Sequence, residues 1–192
     1  MKKALFLIIL FFHNGFVATA QLEKGSLIVG GTGFFFGGFN NPIKNFGFSL
    51  QPRVGFFVAN KFVIGSEIGF SYQSLLQNNS LLFSGYGIGI SPFIRYYFLK
   101  MASKVNIFSE TGHNFSQNWV RQNGANETAY RLDVNFSAGV AYFIRPQIAL
   151  EFRLQTNANL LSPSSAIYAG PRFGGMFGFQ IHLNKPSQNA VE

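Results

Sequence analysis

The sequence contains no cysteine among its 192 residues. This excludes disulfide bonds, a thiolate zinc site and a lipid-modified N-terminal cysteine. Charged residues are also scarce, at 11% of the chain, whereas 47% of the residues are hydrophobic. No unbroken apolar run is long enough to form a membrane-spanning helix. The hydrophobic residues are therefore spread along the chain and not gathered into helical spans.

Glycine and aromatic residues are abundant instead. The chain has 21 glycines, and its aromatic content of 17% includes 25 phenylalanines. These residue types favour strands and turns over helices. The composition therefore predicts an all-β protein.

The N terminus predicts export. Lys2 and Lys3 form a positive region, residues 4–12 are apolar, and an A-x-A cleavage signal ends at Ala20. Together these features describe a secretory signal peptide over residues 1–20. The alternative is a helical membrane anchor, but the apolar run is short and is interrupted from His13 onward. Without Lys2 and Lys3, the 15 basic and 7 acidic residues become 13 and 7, a formal charge of +6.

Polar and apolar positions alternate from residue 84 to residue 99. The even positions are large and apolar, and the odd positions are mostly small or polar. A period of two is typical of a strand that separates two different environments. On the apolar face, aromatic residues lie at both ends with isoleucines between them, as on a lipid-facing strand with two interfacial aromatic girdles.

Seven other segments have a similar length, enough to cross a membrane as strands. The eight segments are 25–37, 45–58, 62–73, 82–99, 105–115, 128–144, 148–158 and 166–183. The connections at 59–61, 100–104 and 145–147 are short, whereas those at 38–44, 74–81, 116–127 and 159–165 are longer and polar. This alternation predicts an eight-stranded antiparallel up-and-down transmembrane β-barrel over residues 21–192, with its strands within 25–183 and a short tail at 184–192.

Charged residues within the segments occupy one face. Each lies at the parity opposite to most of the large apolar residues of its segment, because a strand in lipid tolerates charge only on its lumen side. The fifth segment is less clean, since it places Glu110 inward only by leaving Ser109, Thr111 and His113 outward. The predicted lumen charge network is Arg53, Glu67, Arg95, Glu110, Arg131, Asp133, Glu151, Arg153 and Arg172. A soluble β-sandwich or lipocalin-like barrel also alternates, but its charges would face outward. The position of the charges therefore favours the membrane barrel.

The second hairpin allows a register prediction. Segments 45–58 and 62–73 both have their charged face at odd numbers, so the two numbers of any cross-strand pair sum to an even value. This predicts a three-residue turn at 59–61, with Asn60 or Lys61 in the left-handed conformation. Val58 would then lie opposite Phe62, and Arg53 opposite Glu67.

One residue disturbs the pattern of the fourth segment. Pro92 lies on its apolar face and cannot donate a hydrogen bond to a neighbouring strand. We therefore expect a bulge or a locally missing hydrogen bond there. Lysine and arginine residues cluster at the short turns, where they suit either anionic headgroups or simple solvation.

With these features in place, the chain resembles the small OmpA- and OmpX-like outer-membrane β-barrels of Gram-negative bacteria, and the barrel-only "porin family" proteins. The resemblance covers residues 21–183 and is carried by the stretches 90–98, 134–144 and 174–183. The last strand also resembles the assembly signal of such barrels, polar-x-Gly-x-x-apolar-x-apolar, at Arg172, Gly174, Phe177 and Phe179. The resemblance implies contact with outer-membrane lipids, lipopolysaccharide and the barrel-assembly machinery.

The predicted function is that of a non-enzymatic barrel, structural or interacting through its extracellular loops. An interior of eight strands is only wide enough for its own side chains, so a filled lumen is favoured over a narrow pore for small solutes. A further alternative is a lipid-A-modifying acyl hydrolase. His113 and Ser116 stand as His-x-x-Ser, whereas the enzymes of that kind have His-x-Ser, and no partner acid is evident.

The remaining motifs favour structural roles. Glycines at 85, 87 and 89 precede no helix and so do not form a phosphate loop. Trp119, the single tryptophan, lies with Arg121 in the longest predicted connection, where it could pack at the interface or anchor a partner. The histidines are scattered, so no metal site is expected. No cofactor or nucleic-acid partner is expected either, because the excess positive charge lies at the turns of an exported chain.

Overall fold

The computed structural model describes residues 22–40, 42–78, 80–122, 124–160 and 172–183. This part of the chain forms eight β-strands. They are β1 (Leu27–Asn40), β2 (Ile43–Ala59), β3 (Phe62–Gln77), β4 (Ser80–Tyr97), β5 (Val105–Gln122), β6 (Ala125–Arg145), β7 (Ile148–Asn159) and β8 (Arg172–Leu183). No helix long and apolar enough to cross a membrane occurs among these residues. The predicted signal peptide and C-terminal tail lie outside the described residues.

The strands form one closed antiparallel barrel in sequence order, as predicted. The register can be followed once around the barrel from Leu183 of β8, through Leu27 of β1 and each later strand, to Phe173 of β8. The register around the closed barrel is therefore staggered by ten residues, from 183 to 173. A stagger of this size tilts eight strands by about 40–45° from the barrel axis, as is usual in closed barrels.

The prediction that the connections alternate between short and long was wrong. The polar stretches at 38–44, 74–81 and 116–127 continue the strands almost to the hairpin tips, so that β5 ends at Gln122 and β6 begins at Ala125. The longest described connection, 98–104, is at the opposite end. Backbone pairing needs no apolar side chains, so Asn-, Ser- and Gln-rich segments extend the hairpins without any hydrophobic alternation. The predicted 159–165 connection lies mostly outside the described residues.

The β2–β3 turn confirms most of the register prediction. Arg53 lies opposite Glu67, and Lys61 has a φ of 66°. The three-residue turn and its closing pair were predicted wrongly, however, because Ala59 pairs with Phe62 across a two-residue turn at 60–61. A register shift between Phe57 and Ala59 adds one unpaired residue to β2. Because of this bulge, odd residues of β2 still lie opposite odd residues of β3, although the turn has only two residues.

Pro92 interrupts the ladder between β4 and β5. Pairing stops after Ile90 opposite Phe115 and resumes in the same register at Phe93 opposite Gly112. The ladder is therefore interrupted at Pro92, as expected from the sequence, and no bulge occurs there. Pro52 coincides with a similar break between β2 and β3, which spans residues 51–52.

The two faces of the wall differ as the alternation predicts. Large apolar side chains such as Leu50, Ile64 and Ile90 point outward and are exposed. The inward faces hold the buried charges and, toward the 60–61 turn, a hydrophobic cluster. That cluster includes Leu22, which precedes β1 and is fully buried. Lys61 N donates to the Leu22 carbonyl, and Gly25 N donates to the Phe57 carbonyl, so the segment before β1 is tied across this end of the barrel.

Candidate functional site: the barrel interior

The interior contains three layers along the barrel axis. At the end of the 60–61 turn, the rings of Phe57, Tyr97 and Phe108 pack in series. The rings of Phe57 and Phe143 pack against His182. Above them lies a layer of arginines and glutamates. Toward the hairpin tips, most inward positions are small or polar, including glycines 85, 87 and 89 and several Ser, Asn and Gln residues. The strands bring the charges together because odd positions face inward on β2, β3, β4 and β7, and even positions on β5.

The middle layer is a compact ion-pair cluster, which we call the six-residue cluster. Its members are Arg53, Glu67, Arg95, Glu110, Glu151 and Arg153, which come from five strands and are all buried. Three positive and three negative side chains give it a formal charge of zero. Charges removed from water are tolerated only when they are paired and hydrogen-bonded. The balance of the cluster meets that condition.

Glu110 is the centre of the cluster because its carboxylate contacts all three guanidinium groups. Its oxygens lie 3.0 Å from Arg53 Nη2, 2.7 Å from Arg95 Nη2 and 2.6 Å from Arg153 Nη1. Each outer glutamate has a nearest arginine: Glu67 lies 2.7 Å from Arg53, and Glu151 lies 2.8 Å from Arg95. Glu67 also lies 3.3 Å from Arg153. The predicted Arg53–Glu67 pair is therefore one part of a larger network.

Neutral side chains complete the network. Arg153 Nη2 donates to Thr32 Oγ1 at 3.0 Å and to Gln51 Oε1 at 2.8 Å. On the opposite side, Tyr97 donates its hydroxyl hydrogen to Gln180 Oε1 at 2.9 Å, and Gln180 Nε2 donates to Glu151. These contacts link the cluster to β1 and β8, so every strand except β6 contributes to the described contacts.

Aromatic rings support two of the guanidinium groups. Arg95 Cζ lies 3.8 Å from the centroid of the Phe108 ring, and Arg53 Cζ lies 4.7 Å from that of Phe93. Cation–π contacts of this kind are stronger when the cation is desolvated, as it is here. The aromatic layer therefore also holds the arginines in place.

Little space is left around the cluster. A cavity of about 10 Å³ lies on its upper side, lined by Glu67, Glu110 and the polar residues above them. This volume accommodates roughly one water molecule. The cavity beside the cluster is therefore small.

Three residues of the predicted charge network lie outside the six-residue cluster. Asp133 is buried on the inward face of β6 and Arg131 is half-buried, both closer to the hairpin tips. Arg172 begins β8, opposite Asn157, and its side chain is not among those described. Six of the nine predicted residues therefore form the cluster, and the place of the other three in a network stays a prediction.

The residues of the predicted assembly signal follow the alternation of β8. Phe177 and Phe179 point outward, and the Phe177 ring lies 4.9 Å from that of Phe152 on β7. Gly174 has no heavy atom within 4 Å of the position that a Cβ would occupy. A role of this stretch in assembly stays a prediction.

Other sequence candidates are separated or reassigned by the fold. His113 points outward and Ser116 inward, so the two side chains lie on opposite faces of β5. Trp119 was predicted in a connection but lies within β5, where it stacks on Tyr86 at 4.9 Å. Among the described residues, no group of three or more His, Asp or Glu side chains could hold a metal ion.

The aromatic layer and the neutral partners of the cluster were not predicted from the sequence. The signal was present, because Phe57, Phe93, Tyr97 and Phe108 share the parity of the charged residues on their strands. The prediction described the odd face of the fourth segment as mostly small or polar, although Phe93 and Tyr97 lie on it. No pattern in the sequence indicated that Leu22 is buried, because Leu22 precedes the first strand and belongs to no alternating segment.

Comparisons with known proteins identify the fold. No family model matches the sequence, and no curated protein matches it. The outer membrane protein OprG from Pseudomonas aeruginosa is a similar solved structure, with a TM-score of 0.59 and 10% sequence identity. The N-terminal β-barrel domain of Pseudomonas aeruginosa OprF has a TM-score of 0.53 and 14% identity. Neisserial surface protein A has a TM-score of 0.51 and 16% identity. The matches cover 87%, 83% and 81% of this chain and 99%, 98% and 94% of those chains. The chain therefore has the fold of eight-stranded outer-membrane β-barrels.

Proposed function

We propose that this eight-stranded barrel is an integral outer-membrane protein with a closed lumen, which acts structurally or through its outer hairpins and not as an enzyme or a pore. The observation that carries the proposal is the six-residue cluster. Its side chains are buried, balanced in charge and packed across the middle of the barrel. An interior of eight strands leaves no further width for a solute path.

The outward face supports the membrane location. Its exposed Val, Ile, Leu and Phe side chains would be costly in water over so large an area, whereas lipid accepts them. The wall would contact phospholipid at the 60–61 end and lipopolysaccharide at the hairpin end. The hairpin tips at 74–81 and 116–127 carry Asn, Gln and Ser side chains, which are suited to an extracellular partner. Assembly through the barrel-assembly machinery is part of the same proposal.

Single-channel recording on the refolded wild-type protein tests the closed lumen. We expect no steady unitary conductance. A variant that removes two central arginines, Arg95→Ala with Arg153→Ala, should admit ions if it still folds, because it empties the middle layer. Steady unitary currents through the wild-type protein would contradict the proposal and favour the narrow pore.

Mass spectrometry of lipid A tests the enzyme alternative. Because His113 and Ser116 lie on opposite faces of β5, they cannot act together on one ester. Lipid A from cells expressing the protein should therefore match that from cells expressing His113→Ala. Loss or transfer of an acyl chain only in the presence of His113 would refute the non-enzymatic assignment.

A further inference from the structure

Basic residues are concentrated at the end of the barrel that carries the 60–61 turn. Five described residues there form what we call the basic arc: Lys24, Lys61, Lys100, Lys104 and Arg145. Among the described residues at this end, the only acidic side chain is Glu23. At the hairpin tips, by contrast, Lys44 and Arg121 are opposed by Glu127. The net positive charge of the barrel therefore lies mainly at the end of the 60–61 turn.

Backbone contacts place the members of the basic arc next to one another around the rim. Lys24 N donates to Asn60 Oδ1 at 2.9 Å, so Lys24 lies beside the turn that contains Lys61. Tyr97 N, at the end of β4, donates to the Lys61 carbonyl. The connection 98–104 follows Tyr97, so it begins beside Lys61 and carries the next two members of the arc.

Buried side chains hold the 98–104 connection against the barrel. Asn106 is fully buried, its Oδ1 accepts from Leu99 N at 3.0 Å, and its Nδ2 donates to the Lys100 carbonyl at 3.3 Å. Met101 packs against the hydrophobic cluster. The backbone that carries the exposed Lys100 side chain is therefore already ordered, and binding a ligand there costs little further ordering.

The Lys104 ammonium group lies at the outer surface of the wall. Its Nζ is 5.4 Å from the centroid of the Tyr142 ring, and Tyr142 has the parity of the outward side chains of β6. Phe143 N donates to the Lys104 carbonyl, which places Lys104 beside the end of β6, where Arg145 is exposed. Within the described part of the chain, no side chain of the basic arc forms a salt bridge. The arc therefore presents cations that the described carboxylates do not neutralise.

Aromatic side chains border the arc on the membrane side. Phe62 directly follows Lys61 and pairs with Tyr96, whose ring lies 5.2 Å from that of Phe98. Lys100 follows two residues after Phe98. Aromatic residues in this position mark the boundary between lipid and water. The basic arc therefore lies at the level of the lipid headgroups, directly beyond the apolar wall.

We propose that the basic arc binds the phosphate groups of anionic phospholipids, such as phosphatidylglycerol, in the leaflet at this end of the barrel. The proposal rests on the membrane location proposed above and adds the class of headgroup. Acyl chains that pack on the apolar wall bring their headgroups to the level of the arc, and lysine clusters beside a membrane attract anionic lipids. A zwitterionic headgroup gains less, because its own ammonium group offsets its phosphate.

Lipid selectivity measured by electron spin resonance tests the arc. The protein is refolded into phosphatidylcholine vesicles that contain a trace of spin-labelled phosphatidylglycerol or spin-labelled phosphatidylcholine, and the motionally restricted fraction reports lipid at the barrel surface. One basic side chain at an anionic surface favours binding about fivefold, and averaging over all lipids around the barrel should leave a preference for phosphatidylglycerol of about twofold. Salt should reduce this preference.

A matched pair of double variants locates the effect. Lys100→Gln with Lys104→Gln removes two charges of the basic arc and should lose at least half of the preference. Lys44→Gln with Arg121→Gln removes two charges near the hairpin tips and should keep the preference of the wild-type protein. The mobility shift on heating verifies that each variant is folded. Equal preferences in the two double variants, or none in the wild-type protein, would refute the proposal.

Other occupants of the arc give different results. A preference that sodium phosphate abolishes, and sodium chloride of the same ionic strength does not, would assign the arc to free phosphate and overturn the proposal. Sedimentation with purified peptidoglycan that depends on Lys100 and Lys104, without lipid selectivity, would overturn it as well. An inserted protein that shows neither lipid selectivity nor unitary currents would refute the arc and leave the closed-lumen assignment intact.

Discussion

Glu110 is the residue on which the charge balance of the lumen most depends, because it contacts Arg53, Arg95 and Arg153 at 3.0 Å or less. Glu110→Gln keeps the size of the side chain and removes its charge, leaving three guanidinium groups with two carboxylates. Breaking a buried ion pair from one side typically costs about 3–5 kcal/mol. We expect Glu110→Gln to lower the free energy of unfolding by about that amount.

A second substitution should restore part of the loss. Adding Arg153→Met to Glu110→Gln leaves two arginines and two glutamates, which are already paired: Arg53 with Glu67 at 2.7 Å, and Arg95 with Glu151 at 2.8 Å. Replacing both partners of a buried pair by neutral groups can be nearly neutral in stability. The double variant should therefore be more stable than Glu110→Gln alone.

The assay is equilibrium unfolding in urea after refolding into lipid vesicles. Far-UV circular dichroism reports the strands, and fluorescence reports Trp119, the single tryptophan, which lies outside the cluster. Glu127→Gln, an exposed change near the hairpin tip, is the matched control and should change stability little. The reasoning is refuted if the double variant is no more stable than Glu110→Gln, or if Glu110→Gln unfolds like the control.

Three further outcomes are expected. Leu22→Ala should lower the free energy of unfolding by about 2–5 kcal/mol, because the side chain is fully buried. Hydrogen exchange at the backbone amide of Gly25 should become faster as well. An unchanged midpoint of urea unfolding would show that Leu22 does not support the barrel. Intact-mass analysis of the exported protein should give a chain that begins at Gln21, and retention of residues 1–20 would contradict the export argument. The folded protein should migrate faster on detergent gels before boiling than after, because a closed sheet resists unzipping, and equal mobility would count against closure.

The contacts change one expectation that rested on the sequence. Parity alone placed Arg53 opposite Glu67, and replacing both members of an isolated buried pair can be nearly neutral in stability. Arg53 also contacts Glu110 at 3.0 Å, and Glu67 also contacts Arg153 at 3.3 Å. Replacing both therefore disturbs two further charges, and the compensating partner for a lost glutamate must be chosen from the whole cluster.

The sequence by itself determined the strand class, the number of strands and the face on which the charges of the six-residue cluster lie. This was possible because alternation is a property of the backbone pleat, so residues such as Arg95 and Ile94 are assigned to opposite faces without knowledge of their neighbours. It also determined the register of the β2–β3 pair around Arg53 and Glu67, because one short turn links the two strands.

Only the tertiary structure decided which inward side chains meet. Arg95 reaches Glu151, 56 residues away, and Arg153 reaches Glu67, 86 residues away, because the ring closes with a stagger of ten residues. The bulge near Val58, the extended polar hairpins and the short β1–β8 ladder also depend on pairing between strands, which no period along one strand encodes. Local alternation fixes a face for each side chain, whereas its partners depend on the stagger and closure of the whole sheet.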